Sequence, residues 1–258
     1  MSTHARLYWA ASDSLVMIGR SLRHTVRSVD TLLLGAFLPT MLMLMFVHIF
    51  GGAIDTGTAY VTYVVPGVIL LCAGYGSANT AVAVAADMVN GIVDRFRSLP
   101  ILSSSVLTGH VVASVTRNLF ATVLVLAVAF ASGFRPTAGP LEWLAAIGLL
   151  VLFMLAMSWV SVFLGMLAGS VESASAFTFV VLFLPYLSSG FVPTATMPGF
   201  LRGFAEHQPI TPMIEAIRGL LTDVPVDNPV PAAVAWFGGL LVVGYAASSV
   251  LFRHRRPR

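Results

Sequence analysis

The sequence predicts an all-α, polytopic integral membrane protein with six transmembrane helices. Of its 258 residues, 57% are hydrophobic and 10% are charged, with a mean hydropathy of +0.90, whereas about a quarter of the residues of a soluble domain are charged. Apolar runs of about 20 residues, enough for a helix to cross a hydrocarbon core, recur along the chain, and no strand-like alternation competes with them. The predicted spans are 29–50, 60–86, 111–131, 141–167, 174–191 and 230–252.

The distribution of arginine predicts the orientation of these spans. The chain has 14 basic residues, and all of them are Arg. Most lie in the segment 1–28, in the connection between the second and third spans, or in the tail 253–258. An even number of spans places these three segments on one side, which the positive-inside rule assigns to the cytoplasm. We therefore expect a multi-pass protein of the inner (plasma) membrane with both termini cytoplasmic.

Two segments outside the spans have helical patterns of their own. In segment 1–28, apolar residues at helical spacing among arginines predict an interfacial amphipathic helix, with a solvated leader as the alternative. Segment 192–229 alternates proline breaks with two short apolar helices, which we expect to be re-entrant on the outer side. Thr211, followed by proline, is predicted to cap the second of these helices. Glu215 and Arg218 are predicted to pair on its polar face.

A charged segment between the second and third spans, NGIVDRFRSLPI at 90–101, interrupts the apolar chain. Its apolar residues recur at spacings of three and four, which predicts a short amphipathic helix over 87–100 that ends at Pro100. About three turns of helix are not stable alone in water, so the apolar face requires a partner surface. The pattern leaves two candidates open: the membrane interface or the protein's own helix ends, and the groove of a separate cytoplasmic protein.

Two motifs resemble a known family. The stretch GIVDRFRSLPI and the later stretch LPYLSSGFVPTATMPGFLRGFAEHQPITPMIEAIRGLL resemble the daunorubicin/doxorubicin-resistance type of ABC transporter permease, within the type-2 family. The resemblance implies one transmembrane permease domain over 1–258 that works with a second permease copy or a sister permease and with ABC ATPase subunits. It also implies that 87–100 is a coupling helix docking on the ATPase. The residues it assigns to that interface are Asp94, Arg95, Phe96, Arg97, Leu99 and Pro100.

The sequence does not carry the usual machinery for ATP hydrolysis. It contains no Lys and hence no GxxxxGK[ST] phosphate loop, so we expect no cofactor in this chain, with ATP and Mg²⁺ bound by the partner subunit. No cluster typical of an intramembrane enzyme is evident, and Cys72, the only cysteine, is expected to be a small core residue. Stop-transfer charge explains the basic tail better than a nucleic-acid partner does.

Polar and small residues within the spans give further candidates. Arg117 and Asn118 interrupt the third span, and an ionisable residue inside the membrane is a functional-site hypothesis by default. A long arginine near the end of a span can also snorkel to the interface, so a structural role and a role in gating or substrate passage both stay open. Gly165 and Gly169 are predicted to allow close helix contact.

These observations together predict the transmembrane subunit of an ABC exporter. The expected cargo is a lipophilic drug or a lipid, moved out of the cytoplasm or the inner leaflet through an apolar cleft between two permease subunits. A lipid or polysaccharide exporter of the same architecture and a non-transporting membrane scaffold are the alternatives.

Overall fold

A computed structural model of the chain describes residues 29–91, 103–222 and 228–254. The interfacial helix predicted over 1–28 lies outside the described residues, as do the last four residues of the tail. The residues assigned to the ATPase interface also lie outside them, and these are Asp94, Arg95, Phe96, Arg97, Leu99 and Pro100.

The described residues form eight α-helices and no strand. A π-helical turn, Phe46–Phe50, extends the first helix, and a 3₁₀ turn, Leu184–Leu187, extends the fifth. The helices are α1 Val29–Met45, α2 Tyr60–Val89, α3 Ser103–Ala131, α4 Pro140–Leu167, α5 Val171–Phe183, α6 Gly199–His207, α7 Ile210–Leu221 and α8 Val230–His254.

The helix lengths support the predicted class. Within the described ranges, four helices are long and apolar enough to cross a membrane, namely Tyr60–Val89, Leu107–Ala131, Pro140–Leu167 and Val230–Arg253. Two shorter apolar helices, Gly35–Phe50 and Val171–Leu187, occupy the positions of the first and fifth predicted spans. The all-α, polytopic membrane class is therefore confirmed.

Successive long helices run in alternating directions. The start of α2 contacts α7, since Arg218 bonds to Tyr63. The 3₁₀ turn that follows α5 contacts the residues just before α7, since Gln208 bonds to Leu187. We call this the hairpin end, because the short helices α6 and α7 lie there. Residues 92–102 join α2 to α3 at the opposite end, which we call the connection end.

α2 is the central helix and α8 is peripheral. The most apolar window of α2 is 72% buried inside the protein, against 17% for α8. α2 packs against α4 without an intervening side chain, because a Cβ on Gly165 would lie 2.5 Å from the Ala81 carbonyl oxygen. The predicted close contact at Gly165 is thus confirmed, as is the buried position of Cys72. Gly169 has nothing within 4 Å of the same position, so that half of the packing prediction is wrong.

The fifth span ends earlier than predicted. Helical geometry stops at Leu187 rather than at 191, and the next residues form a turn. The Ser188 hydroxyl donates to the Pro185 carbonyl oxygen at 2.5 Å and accepts from the Gly190 N–H at 3.1 Å. Local side-chain bonds of this kind compete with the helical pattern and end it.

The second span continues further than predicted. α2 runs through Val89 and ends at Asn90, after which Gly91 adopts a φ of +67°. Glycine reaches this left-handed conformation without strain, and it is a common helix terminator. The predicted start of the coupling helix at Asp87 is therefore wrong, because residues 87–89 form the last turn of α2.

Candidate pathway and gating sites

A buried polar network joins α2, α3 and α4. Asn118, which is 2% exposed, donates from Nδ2 to the Ser77 hydroxyl at 2.8 Å and, more weakly, to the Ser114 hydroxyl at 3.5 Å. The Ser158 hydroxyl donates in turn to Ser114 at 2.9 Å. The network therefore connects α2, α3 and α4. Hydrogen bonds between helices in a membrane contribute about 0.6 kcal/mol each on average, so the network positions these helices more than it stabilises them.

Glycine makes room for this network. A Cβ at Gly76 would clash with the side-chain amide oxygen of Asn118. The side-chain amide of Asn118 therefore packs directly on the backbone of α2. The neighbouring hydroxyls of Thr80 and Thr122 are buried without a hydrogen-bond partner in the described structure.

Arg117 stands at the edge of the same network. Its side chain is half-buried, and it makes no hydrogen bond or ion pair with any residue in the described ranges. It lies seven positions from His110, about 10 Å along the helix axis. The structure brings Asn118 into a network but leaves Arg117 beside it, so the choice between snorkelling and gating for Arg117 stays a prediction.

A contact between His110 and Asp87, which is an ion pair when the imidazole is protonated, ties α2 to α3 at the connection end. Nε2 of His110 lies 3.1 Å from a carboxylate oxygen of Asp87, and the two side chains are 21% and 31% exposed. The pair fastens the two helices on either side of segment 92–102. Sequence reasoning missed it, although two ionisable residues at the facing ends of antiparallel spans are the available signal.

The most buried charge in the described part of the chain belongs to Arg218 on α7. Only 2% of this residue is exposed. Its Nε and Nη2 donate to the Tyr63 carbonyl oxygen at 3.2 and 3.1 Å, and Nη2 also donates to the Ser189 carbonyl oxygen at 2.7 Å. The guanidinium carbon lies 3.8 Å from the centre of the Tyr63 ring, which is cation–π distance.

Glu215 and Arg218 interact only through space and form no ion pair, so the predicted pairing on the polar face of α7 is wrong. Arg218 lies on the buried face of α7, four residues after Ile214 and three before Leu221, which are both buried. This place on the apolar stripe is the sequence signal that was available. The predicted cap is also wrong: α7 begins at Ile210, and the Thr211 hydroxyl donates to the Ala205 carbonyl oxygen.

The turn 188–191 is seated on α2 beside Arg218. The Tyr60 hydroxyl donates to the Phe191 carbonyl oxygen at 2.9 Å. A Cβ on Gly67 would lie 2.7 Å from the Gly190 carbonyl oxygen, so the backbones of α2 and of the turn are in contact. The Phe191 ring stacks on Tyr186 at 4.7 Å between centroids. These contacts close the hairpin end of the bundle over the start of α2.

The remaining polar residues of α6 form local contacts. Glu206 pairs with Arg202 at 2.7 Å along the same helix, and the His207 ring nitrogen lies 2.8 Å from the Gly203 carbonyl oxygen. The described ranges contain no group of three or more His, Cys, Asp or Glu that could hold a metal ion.

Comparison with known proteins gives a consistent family. A family model described as "ABC-2 type transporter" matches residues 14–222. The chain is 28% identical to "Daunorubicin resistance ABC transporter permease protein DrrB1" of Streptomyces coeruleorubidus, over 89% of this chain and 81% of the relative. It is 26% identical to "Probable doxorubicin resistance ABC transporter permease protein DrrC" of Mycobacterium tuberculosis (strain CDC 1551 / Oshkosh), over 93% and 87%. It is 27% identical to "Inner membrane transport permease YadH" of Escherichia coli (strain K12), over 92% and 91%.

Proposed function

Because the chain belongs to the ABC-2 type transporter family, we propose that it is the transmembrane subunit of an ABC exporter for lipophilic drugs or lipids. A separate ATPase subunit drives it. The observation that carries this proposal is the similarity to drug-resistance permeases over about nine-tenths of the chain. The cargo class follows the resistance named for those relatives.

The surface of the bundle supports a lipophilic cargo. Large apolar side chains are exposed along α1, α3 and α5, including Phe37, Val123 and Phe179. Exposed apolar area of this extent is stable only against lipid or another apolar surface. Cargo that partitions into the bilayer can therefore approach between the helices, and a second permease copy or a sister permease can cover part of the same surface.

The energy for transport comes from a partner. The chain has no Lys and therefore no phosphate-loop lysine, so ATP and Mg²⁺ belong to the ABC ATPase subunit. Segment 92–100 is the proposed docking site, with Phe96 and Leu99 as packing anchors and Asp94, Arg95 and Arg97 setting the orientation by charge. Only contacts that differ between the two ATPase states can shift the permease between conformations.

The distribution of charge supports one orientation. Arg253 lies in the last turn of α8, at the connection end, and in the sequence further arginines follow α2 in segment 92–100 and follow α8 in the tail. The positive-inside rule therefore makes the connection end cytoplasmic and the hairpin end outer, in the inner (plasma) membrane, with both termini cytoplasmic. The buried network at Asn118 lies between the two ends, and with Arg117 it is the proposed region of passage or gating.

Two substitutions test the docking step. We expect Phe96→Asp combined with Leu99→Asp to abolish co-purification with the ABC ATPase that assembles with the unmodified chain, because each aspartate places a charge in an apolar contact. Phe200→Asp is the matched control, since Phe200 lies at the other end of the bundle and is 79% exposed. Undiminished assembly of the double variant would contradict the proposed docking site.

Cargo is tested in proteoliposomes that contain the permease and the ATPase. We expect daunorubicin or a fluorescent phospholipid to stimulate ATP hydrolysis and to move across the bilayer in an ATP-dependent manner. Transport of an undecaprenyl-linked oligosaccharide in place of both probes would favour a polysaccharide exporter. Assembly with the ATPase without transport of any of these probes would favour a scaffold.

A further inference from the structure

Arg218 occupies an unusual electrostatic position. In the described part of the chain, the ion pairs are those of His110 with Asp87 and of Arg202 with Glu206. Arg218 is more buried than His110 or Arg202, yet its hydrogen bonds go to neutral acceptors, the carbonyl oxygens of Tyr63 and Ser189. Carbonyl dipoles and one aromatic face therefore make the direct contacts of a desolvated charge, and the Glu215 carboxylate, which forms no ion pair with it, acts on it only through space.

This kind of compensation produces a contact that can open. Removing a guanidinium from water is expensive, and neutral acceptors return less of that free energy than a carboxylate does. When the contact opens, water solvates the guanidinium again and offsets much of what is lost. The Arg218 contact therefore fixes one geometry of the closed state, and the net free energy needed to open it is small.

The three elements that Arg218 joins are those that close the hairpin end. The side chain extends from α7, its acceptor at Tyr63 belongs to the first turn of α2, and its acceptor at Ser189 belongs to the turn 188–191. The same turn is held by the Tyr60 hydroxyl and lies backbone to backbone on Gly67. Loss of the Arg218 contacts would remove the hydrogen bonds that α7 makes to the turn and to α2, and would leave the packing of Gly190 against Ile214 as the contact between turn and α7.

We propose that Arg218 is a positioning residue for the outer end of the transport pathway. It holds the turn 188–191 and α7 closed against the start of α2, and this junction opens when cargo is released to the outer side. The assignment of the junction to cargo release rests on the proposed function above, whereas the closing role of Arg218 rests on the contacts alone.

Ser189 provides a reporter of this junction. Its side chain is 2% exposed, and its hydroxyl has no hydrogen-bond partner. The contact with Arg218 uses the backbone carbonyl of Ser189. Ser189→Cys therefore places a thiol at the junction without removing a bond. Cys72, which is buried in α2, serves in the same molecule as a sensor of general unfolding.

The experiment measures how fast a membrane-impermeant maleimide, added from the outer side, labels the thiol introduced by Ser189→Cys. We expect Arg218→Gln to raise the rate at least about tenfold, because labelling follows the population of the locally open state. Arg202→Gln is the matched control, since Arg202 is an outer arginine that pairs only within α6. Equal rates in the two variants would overturn the closing role.

If Arg218→Gln fails to fold, Cys72 is labelled as well. Arg218→Lys is then the variant that tests the closing role. Lysine keeps the charge but lacks the planar fork that reaches two carbonyls at once. We expect it to raise labelling at the junction over an Arg202→Lys control, with Cys72 unlabelled. An Arg218→Lys rate equal to that of the control would overturn the proposal.

The transport role is tested separately, with the ATPase partner present. We expect ATP to accelerate labelling in a chain that keeps Arg218. A complex that exports daunorubicin but whose labelling ignores ATP overturns the role of the junction in release and leaves the proposed function intact. If the complex does not export daunorubicin but the Arg218 variants label clearly faster than the Arg202 variants, the proposed function is overturned and the closing role of Arg218 stands.

Discussion

The contact between α2 and α4 at Gly165 gives a quantitative prediction. A Cβ added there would lie 2.5 Å from the Ala81 carbonyl oxygen and 3.0 Å from the Val84 Cβ, and ordinary contact begins at 3.4 Å. Gly165→Ala therefore forces α4 about 0.9 Å away from α2, and overpacking of this kind costs about 1–3 kcal/mol. Alanine returns up to about 1 kcal/mol through its higher helix propensity.

Gly148→Ala is the control that measures the gain in helix propensity without overpacking. Gly148 lies in the same helix, and nothing is within 4 Å of an added Cβ. We expect Gly148→Ala to be neutral or stabilising, and Gly165→Ala to be less stable than it by about 1–3 kcal/mol. Since 1 kcal/mol shifts the Tm by about 2–4 °C for chains of this size, thermal unfolding in detergent resolves the difference. Equal Tm values for the two variants would refute the close contact.

Three further substitutions probe the other contacts, each by thermal unfolding of the purified protein. Asn118→Leu should lower the free energy of unfolding by about 0.5–2 kcal/mol, because it removes the donor that links α3 to Ser77 of α2; an unchanged Tm would contradict the network. Tyr60→Phe should cost about 1 kcal/mol, since it leaves the buried Phe191 carbonyl oxygen without its donor; no loss would mean that another group satisfies this carbonyl. Asp87→Asn should cost less than about 1 kcal/mol, because its pair with His110 is partly exposed and screened, and a loss that persists in high salt would count against this account.

The sequence predicts the helical membrane bundle well, because crossing a bilayer requires long apolar runs whatever the tertiary packing. The contact at Gly165 could also be anticipated, since small residues allow helices to approach closely. The predicted coupling helix was drawn from the periodicity of its apolar residues and therefore included Gly91, whose left-handed conformation follows the end of α2. The order of residues along a helix does not show when the next segment changes direction.

The polar contacts were harder to predict because they depend on partners distant in sequence. Arg218 looked like half of a local pair with Glu215, yet its acceptors are 155 and 29 residues away. Asp87 and His110 become partners only once α2 and α3 are known to lie side by side. A buried cation on an apolar stripe is therefore a better clue to long-range packing than its nearest charged neighbour.

The continuity of α2 links sites that otherwise look separate. Its 30 residues form a rod about 45 Å long, and the rod touches His110 near one end and Arg218 near the other. A tilt of about 5° would displace the far tip by about 4 Å, more than the length of a hydrogen bond. Pro66 leaves the Thr62 carbonyl without its helical donor. Pro66 is three residues from Tyr63, so a bend of α2 at the missing hydrogen bond would act within one turn of the contact with Arg218.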